Sequence, residues 1–344
     1  MDDSHPSGSD FYDPRTGGQA LRVRGVRIEG GAHEPARTNC FAIYRIDSGS
    51  GTVAAGDAHH PFGPASLLFF VPYQYMRFSA DQPVGGEVIE FHANFLCVET
   101  FHAEVGCSGA LFNDPYGVPL VALEDGAAAE VSDLFSRIRR EQTERGLAHV
   151  EASLAYLKVL LIFSTRLKTG GGAGCGTAAA HRHPVLSRLA LLIEQNYRTW
   201  HAPAQYADAL HVTAKVLGRL VREHLNTTLT DLIRNRVLTH AKWQLLHTLR
   251  PVKEIAQEVG FGDELYFSRL FKKATGVSPR YFRDFETAVR GGSNLSMSSG
   301  RASILQTVGG ADHSVVGADA LGRTGGGGTE GSTRRHDNEP AETV

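Results

Sequence analysis

Apolar residues between Val252 and Phe285 recur every three to four positions, which is the period of an amphipathic helix. They form two stripes separated by a short break, namely Ile255, Ala256 and Val259, then Phe267, Leu270 and Phe271. Within the break, Gly260 can take the positive φ that a chain leaving a helix needs. Asp263 stands where an N-cap residue accepts hydrogen bonds from the next helix. The pattern therefore predicts a helix-turn-helix with a polar outer face.

The same pattern occurs a second time, earlier in the chain. Six positions mirror one another: Ala207, Leu210, Leu217, Arg219, Leu220 and Asn226 correspond to Ala256, Val259, Phe267, Arg269, Leu270 and Gly276. The first helices are offset by 49 residues and the second helices by 50, so the second turn should be one residue longer. Residues 229–249 between the copies predict a connecting amphipathic helix. A single copy also fits an ordinary helical hairpin with a solvated outer face, whereas a duplicated unit indicates a repeated module.

Residues 21–115 show a different pattern, in which short apolar runs are separated by glycine, proline and aspartate. The runs cover residues 21–26, 39–46, 67–71, 76–78 and 88–91. Runs of this length between turn residues predict strands. We therefore expect an all-β sandwich or small barrel in this part of the chain.

Helical spacing returns in residues 116–168, where we expect a hairpin of two helices. The second helix carries apolar residues at spacings of 3, 4, 3 and 4, namely Leu147, Val150, Leu154, Leu157 and Leu161. This spacing is typical of the seam of a short coiled coil. The seam can pair with a second copy of the chain, as a dimerisation contact, or pack on the chain's own β domain. The spacing alone leaves both possibilities open, together with a hybrid in which one face packs on the β domain and the other on a partner.

Three segments lack periodicity. Residues 1–20 are rich in glycine, serine, aspartate and proline and are predicted to be disordered. Residues 169–183 are glycine-rich and predict a flexible linker that mechanically isolates the β domain from the helical domain at 184–289. Residues 290–344 predict a disordered tail without chemistry of its own.

The net charge of −2 hides an asymmetry along the chain. Residues 184–290 contain 16 Lys and Arg against 10 Asp and Glu, a balance of +6, while the remaining residues have a balance of −8. The basic part coincides with the duplicated unit. This distribution is typical of a module that binds phosphates joined to a part that does not.

Other features of the sequence narrow the class of protein. There is no apolar run of about 18 residues, so we expect no membrane span. The first 14 residues show neither a basic nor an apolar signal region, and we expect a cytoplasmic protein. The four cysteines, at positions 40, 97, 107 and 175, lie far apart without CxxC spacing. They predict reduced thiols, with neither a disulfide framework nor a zinc site.

The basic part of the chain contains a series of short motifs: Glu254-Ile255-Ala256, Gly260-Phe261, Tyr266-Phe267-Ser268-Arg269, Phe271-Lys272-Lys273, Gly276, Ser278-Pro279 and Tyr281. With them, about 100 of the 344 residues resemble the DNA-binding domain of the AraC/XylS transcriptional regulators. The run from Gly63 to Pro72 is similar to the cupin-like sensing domain that precedes many such regulators. The resemblance implies a dimer contact in the helical hairpin. Glu264-Leu265 departs from the small or amide side chains common in the family.

For the DNA-binding domain we expect about seven helices, with the second helix of each unit entering a major groove. The outward positions of the two recognition helices are Lys215, Gly218, Arg219 and Arg222, then Glu264, Leu265, Ser268, Arg269 and Lys272. Two grooves about 34 Å apart would be read from one face of the duplex. Arg219 and Arg269 are predicted to contact guanine, and the other cations to hold phosphates. Arg269 could instead pair with Glu264 or Asp263.

A small-molecule effector is the expected ligand of the β domain. Candidate pocket residues are Phe41, Tyr44, Phe69, Gln74, Phe91 and His92, which combine aromatic surface with a few polar groups. Each of them also fits a plain core position. A metal centre is disfavoured, because the adjacent His59 and His60 would point to opposite faces of a strand. We expect these two histidines to be exposed in a loop.

Together these patterns predict a multidomain α+β protein. A cupin-like all-β barrel and a helical dimerisation segment would precede an all-α domain of two helix-turn-helix units. The predicted function is sequence-specific transcription regulation, with double-stranded DNA, a small effector, a second copy of the chain and, for an activator, RNA polymerase as partners. No catalytic activity, cofactor or metal is expected. The alternatives are a cupin-type metalloenzyme with a helical appendage and an interaction module that does not bind DNA.

Overall fold

The computed structural model describes residues 11–56, 58–98, 111–112, 118–170 and 183–291. Its first part consists of antiparallel strands. They are β1 (Leu21–Ile28), β2 (Gly31–His33), β3 (Phe41–Ser48), β4 (Gly51–Ala55), β5 (Ala58–Phe62), β6 (Ser66–Phe70), β7 (Met76–Ala80), β8 (Val84–Phe91) and β9 (Leu120–Ala122). The prediction of a β domain followed by a helical domain is confirmed.

The strands form two sheets that pack on each other. One sheet has the order β1-β8-β3-β6-β9 and the other has the order β2-β7-β4-β5. Successive side chains of a strand point to opposite faces, so the five-stranded sheet contributes to two separate cores. Tyr44 and Leu68 belong to the core between the sheets, whereas their neighbours Ile43 and Phe69 belong to a core on the other face.

Two helices, α1 (Asp125–Glu144) and α2 (His149–Thr169), cover that other face. The predicted seam belongs to this core, because Leu157 and Leu161 are fully buried there without any partner chain. Leu154 is half-buried against the same core, while Val150 is exposed. Leu147 lies before the helix begins and is fully exposed. The prediction of a dimer contact is therefore wrong for Leu157 and Leu161, which pack on the chain's own domain, whereas for the exposed Leu147 and Val150 it stays a prediction.

The second part of the described chain contains seven helices. They are α3 (Pro184–Asn196), α4 (Pro203–Ala209), α5 (Ala214–Leu225), α6 (Leu229–His247), α7 (Val252–Glu258), α8 (Glu264–Thr275) and α9 (Pro279–Val289). All seven contribute buried residues to one core. The long helix α6 contacts α3, α5, α7 and α9, so it joins the two repeats as predicted. None of the helices in the described parts of the chain has the length and apolarity to cross a membrane.

The segment before β1 is ordered where the structure describes it. Residues 14–16 form a short 3₁₀ helix capped by Asp13, and Phe11 packs against the core of the helical domain. The prediction of disorder is wrong for residues 11–20, because Phe11 and the Asp13 cap supply contacts that the composition does not reveal. The predicted linker and tail, like residues 1–10, lie almost wholly outside the described residues.

Candidate nucleic-acid interface

The two recognition helices, α5 and α8, begin and end with the same devices. The side chain of Thr213 accepts from the amide of Val216 at 3.3 Å, and Asp263 accepts from the amide of Leu265 at 2.8 Å. At the other end, Asn226 and Gly276 adopt the left-handed conformation that closes a helix. The capping residues therefore set where both helices begin and end through local contacts, independently of tertiary packing.

Burial repeats in step with the 50-residue offset. Leu217, Val221 and Leu225 are buried along α5, and Phe267, Phe271 and Thr275 are buried at the corresponding positions of α8. The preceding helices α4 and α7 are offset by 49 residues, so the second turn is one residue longer. The predicted duplication is confirmed, including its unequal turns.

The turn of each unit requires a left-handed residue. Gly260 has φ of 89°, and a Cβ there would lie 2.3 Å from the carbonyl oxygen of Arg198. The corresponding residue of the first unit is His211, which adopts φ of 55° with a full side chain. Glycine is thus required in the second turn by both conformation and space, whereas the first turn accepts the cost of a non-glycine residue.

The predicted DNA-contacting side chains lie on the outer faces of the two helices. Seven of them are exposed: Lys215, Arg219, Arg222, Glu264, Leu265, Arg269 and Lys272. Gly218 and Ser268 are half-buried at matching positions. Along α5 the exposed members are all cationic, whereas α8 combines two cations with a carboxylate and a leucine. The two faces therefore offer different chemistry at equivalent positions.

The side chains of Arg219 and Arg269 make different contacts at the surface. Arg219 is 68% exposed and has its Nε 3.7 Å from Oε1 of Glu223 on the same helix, a solvent-screened pair. Arg269 donates from Nε to the carbonyl oxygen of Leu265 at 3.3 Å. The alternative pairing of Arg269 with Glu264 or Asp263 is not the contact that forms. Both guanidinium groups lie on the surface rather than in the core.

A polar network connects the end of α3 with α6 and α7. The ring of His240 lies between Tyr197, whose hydroxyl is 2.6 Å from Nδ1, and Glu258, whose Oε1 is 3.2 Å from Nε2. Arg250 pairs with the other oxygen of Glu258. Burial, together with the nearby arginines, lowers the pKa of His240 to about 4. Neutral His240 therefore carries a single ring proton among its contacts with Tyr197, Glu258 and Gln244. Sequence reasoning missed this network, because its members are separated by up to 61 residues.

The six effector candidates do not converge on one point. Tyr44 packs against Phe70 and Phe78 in the core between the sheets. Phe41, Phe69 and Phe91 surround Phe112 on the opposite face of the same sheet. Gln74 accepts from the amide of Val71 at 3.0 Å and closes a turn, and His92 faces the helical domain. The prediction that all six line one cavity is wrong, because the strand alternation separates them.

A small cavity of about 220 Å³ lies beside the segment that precedes β1. Its described lining comprises Phe11, Tyr12, Thr16, Gly17, Gly18, Gln19, Arg22 and Cys40, which includes none of the six candidates. Burial raises the pKa of the Cys40 thiol to about 12, so this cysteine is not a reactive thiolate.

His59 and His60 lie in strand β5 and point to opposite faces, as expected for adjacent strand residues. His59 is exposed as predicted, but His60 is buried, and this burial is the main reason that its pKa is lowered to about 4. Both residues lie in a strand rather than in the predicted loop. Within the described parts of the chain, no three His, Cys, Asp or Glu side chains are grouped so that they could hold a metal ion.

Residues 206–284 match the family described as a helix-turn-helix domain. The transcriptional activator RhaR of Escherichia coli K12 is 22% identical over 190 residues, which cover 54% of this chain and 66% of that protein. The arabinose operon regulatory protein of Escherichia coli K12 is 36% identical over 80 residues, covering 23% of this chain and 27% of that protein. The chain thus spans less than two thirds of the length of either relative.

Two solved structures are also similar. ToxT from Vibrio cholerae O395 is 15% identical, with coverage of 77% of this chain and 97% of that chain and a TM-score of 0.35. The C-terminal domain of AraT from Geobacillus stearothermophilus is 30% identical, with coverage of 30% and 88% and a TM-score of 0.30. The duplicated unit, its caps and the family match lead to one conclusion. The C-terminal helical domain of this chain belongs to the helix-turn-helix domains of the AraC type.

Proposed function

We propose that this protein is a sequence-specific, DNA-binding transcription regulator. The observation that carries the proposal is the repeated exposed face of α5 and α8, which presents Arg219 and Arg269 at the same position of two capped helices. The similarity to RhaR, a transcriptional activator, and to the arabinose operon regulatory protein supports it. The relatives are regulators, and we propose no enzymatic activity and no cofactor.

In the proposed complex, each recognition helix enters one of two successive major grooves. Arg219 and Arg269 would each donate two hydrogen bonds to a guanine, while Lys215, Arg222 and Lys272 would hold phosphates. The two faces differ next to these arginines. Glu264 can accept from a cytosine amino group, and Leu265 can contact a thymine methyl group. Because the equivalent positions of α5 carry Ala214 and Lys215, the second half-site should be read with more base discrimination.

We further propose that the N-terminal domain has a cupin-like barrel, senses a small molecule and takes part in a homodimer. The apolar outer residues of α2, Val150, Val159 and Leu167, support a partner contact, since they remain exposed in the single chain. Together with the reduced cysteines expected from the sequence, these features fit action in the bacterial cytoplasm. A promoter that is activated would add RNA polymerase as a partner.

A binding assay with the full chain tests the proposal. DNA sequences that bind are first selected from a random pool, which also yields the two half-sites and their spacing. Arg219→Ala and Arg269→Ala should each weaken binding to the selected DNA by about 1–3 kcal/mol, because each removes one bidentate base contact. Both variants should keep the thermal stability of the parent, since both side chains are exposed.

The control is Arg27→Ala, which removes the same charge from an exposed side chain of β1, 75% exposed, in the other domain. Unchanged affinity of both recognition-helix variants on the selected DNA would refute the assignment. The salt dependence of DNA affinity distinguishes this proposal from the alternative of an interaction module that does not bind DNA. A DNA-binding protein loses affinity steeply as the salt concentration rises, because its binding releases counterions from the phosphates.

A further inference from the structure

The N-terminal domain touches the carbonyl ends of both recognition helices. Arg37, in the segment between β2 and β3, donates from Nη1 to the carbonyl oxygen of Ala274 at 3.1 Å and also contacts that of Lys273 at 3.4 Å. These carbonyls belong to the last turn of α8. At the end of α5, the backbone amide of His59 donates to the carbonyl oxygen of Asn226 at 3.3 Å. One β domain thus binds both recognition helices at corresponding ends.

A buried carboxylate completes this contact. Glu286 of α9 is 1% exposed and accepts from the hydroxyl of Tyr73 at 2.5 Å. Its other oxygen lies 3.4 Å from Nε2 of His92 and 3.2 Å from Nε of Arg290. Burial by itself raises the pKa of Glu286, but the bonds from His92, Arg290 and Tyr73 outweigh it and lower the pKa below its usual value. The carboxylate is therefore ionised, and two of its three partners come from the N-terminal domain.

The contacts of His92 fix which of its ring nitrogens carries the proton. The amide of Asn94 donates to Nδ1 of His92 at 3.1 Å, so the ring proton is on Nε2, which faces Glu286. The side-chain amide of Asn94 donates in turn to the carbonyl oxygen of Val289 at 2.9 Å. The turn after β8 is thereby bonded to the last two turns of α9 at two separate points.

Apolar packing joins the two domains at the same place as these hydrogen bonds. Tyr73, which comes from the turn between β6 and β7, is 1% exposed and belongs to the core of the helical domain. Its ring lies edge-on to Phe282 at 4.9 Å. Its φ of 64° is unfavourable for a tyrosine, so the packing and the bond to Glu286 have to offset the backbone strain. From the connecting helix α6, Lys242 donates to the carbonyl oxygen of Pro72 at 3.5 Å.

These contacts contradict the prediction that the linker isolates the two domains mechanically. We propose instead that the N-terminal domain is a brace that fixes the relative placement of the two helix-turn-helix units, and so sets the spacing of the half-sites that the protein accepts. This inference rests on the proposed DNA-binding function. Within the helical domain, α6 joins the units along one path. The brace adds a second path, from Asn226 through the β domain to Ala274 and Glu286.

A rigid link of this kind has a definite consequence on DNA. Adding one base pair between the half-sites rotates the second one by about 34° and shifts it by about 3.4 Å. A protein whose two recognition helices are fixed relative to each other can bind the altered DNA only by losing contacts in one groove. A protein without the brace can move its second helix-turn-helix unit and keep those contacts. The brace should therefore affect the choice of spacing more than the affinity for a single half-site.

The test uses the full chain and DNA that carries the selected half-sites at the selected spacing and at one base pair more or less. Arg37→Ala removes the bonds to the end of α8, and Tyr73→Phe removes one hydroxyl while keeping the ring in the core. The control Arg27→Ala changes the charge of the same domain away from the contact. The parent and the control should bind the altered spacings at least about tenfold more weakly, since one charged contact is worth roughly that factor.

For both brace variants, this penalty should fall to about threefold or less, while binding to a single half-site stays the same. A measurement of single half-site binding also shows that each variant is folded. If the parent prefers one spacing and both variants keep the full penalty, the brace is refuted while the DNA-binding function stands. If the selection yields no DNA sequence that the parent binds specifically, the proposed function fails and the brace fails with it.

Discussion

Lowering the pH should destabilise the helical domain through His240. Its side chain is 11% exposed, and its ring is held neutral between Tyr197 and Glu258. The pKa of His240 is lowered from 6.5 to about 4, first by burial and then by Arg198, Arg236 and Arg250. In the unfolded chain the imidazole takes up a proton below about pH 6.5, while in the folded domain it does so only near pH 4.

The free energy of unfolding should therefore be highest above about pH 6.5 and fall as the pH is lowered towards 4. A difference of about 2.5 pKa units corresponds to roughly 3 kcal/mol over the full range, and to about 2 kcal/mol between pH 8 and pH 5. The direction follows from the linkage of protonation to folding. The unfolded state binds more protons in this interval, so acid favours unfolding.

Urea unfolding followed by tryptophan fluorescence measures this effect in the right domain, because the only two tryptophans, Trp200 and Trp243, both lie in the helical domain. The comparison is between the parent and His240→Gln, which cannot titrate. The parent should lose about 2 kcal/mol more than the variant between pH 8 and pH 5. His60→Gln is the matched control, since His60 has a similarly low pKa but lies in β5. Equal pH slopes for the parent and His240→Gln would refute the reasoning.

Three substitutions test other parts of the structure by thermal or urea unfolding. Gly260→Ala should cost at least about 2 kcal/mol, because it combines φ of 89° with a Cβ 2.3 Å from a carbonyl oxygen; a loss below 0.5 kcal/mol would contradict this packing. His211→Gly should instead stabilise the domain by about 0.5–1 kcal/mol, since it relieves a left-handed histidine, and any destabilisation would count against that strain. Leu157→Ala should cost about 2–5 kcal/mol without changing the oligomeric state; a dissociated dimer of unchanged stability would restore the predicted seam.

The helix-turn-helix units could be predicted from sequence because their determinants are local. Caps such as Thr213 and Asp263 lie within three residues of the amides they bind. Apolar spacing then decides which side of each helix is buried, and the repeat of the pattern confirms the choice. The outer faces follow from the same spacing, since the positions that are not needed for packing are left to solvent.

The apolar seam of α2 shows where periodicity stops being informative. The spacing of Leu157 and Leu161 correctly predicts a helix with one buried face. It does not say what covers that face, because a partner helix and the chain's own sheet bury the same residues. The pocket candidates failed for a related reason. Aromatic residues that are adjacent in a strand, such as Phe69 and Phe70, point to opposite faces of the sheet and belong to two different cores.

The contact between the two domains was beyond sequence reasoning for a different reason. Along α5 and α8 the matched positions are equally buried or exposed with one exception, where His224 is exposed and Ala274 is half-buried. Arg37 contacts the carbonyl of Ala274 and lies within 3.1 Å of where a Cβ on Gly276 would stand. The one departure from the repeat therefore occurs where Arg37 binds. Because local patterns make the two units equivalent, the two recognition helices differ at their carbonyl ends in the group that the β domain offers: the side chain of Arg37, 237 residues away, at α8 and the backbone amide of His59 at α5.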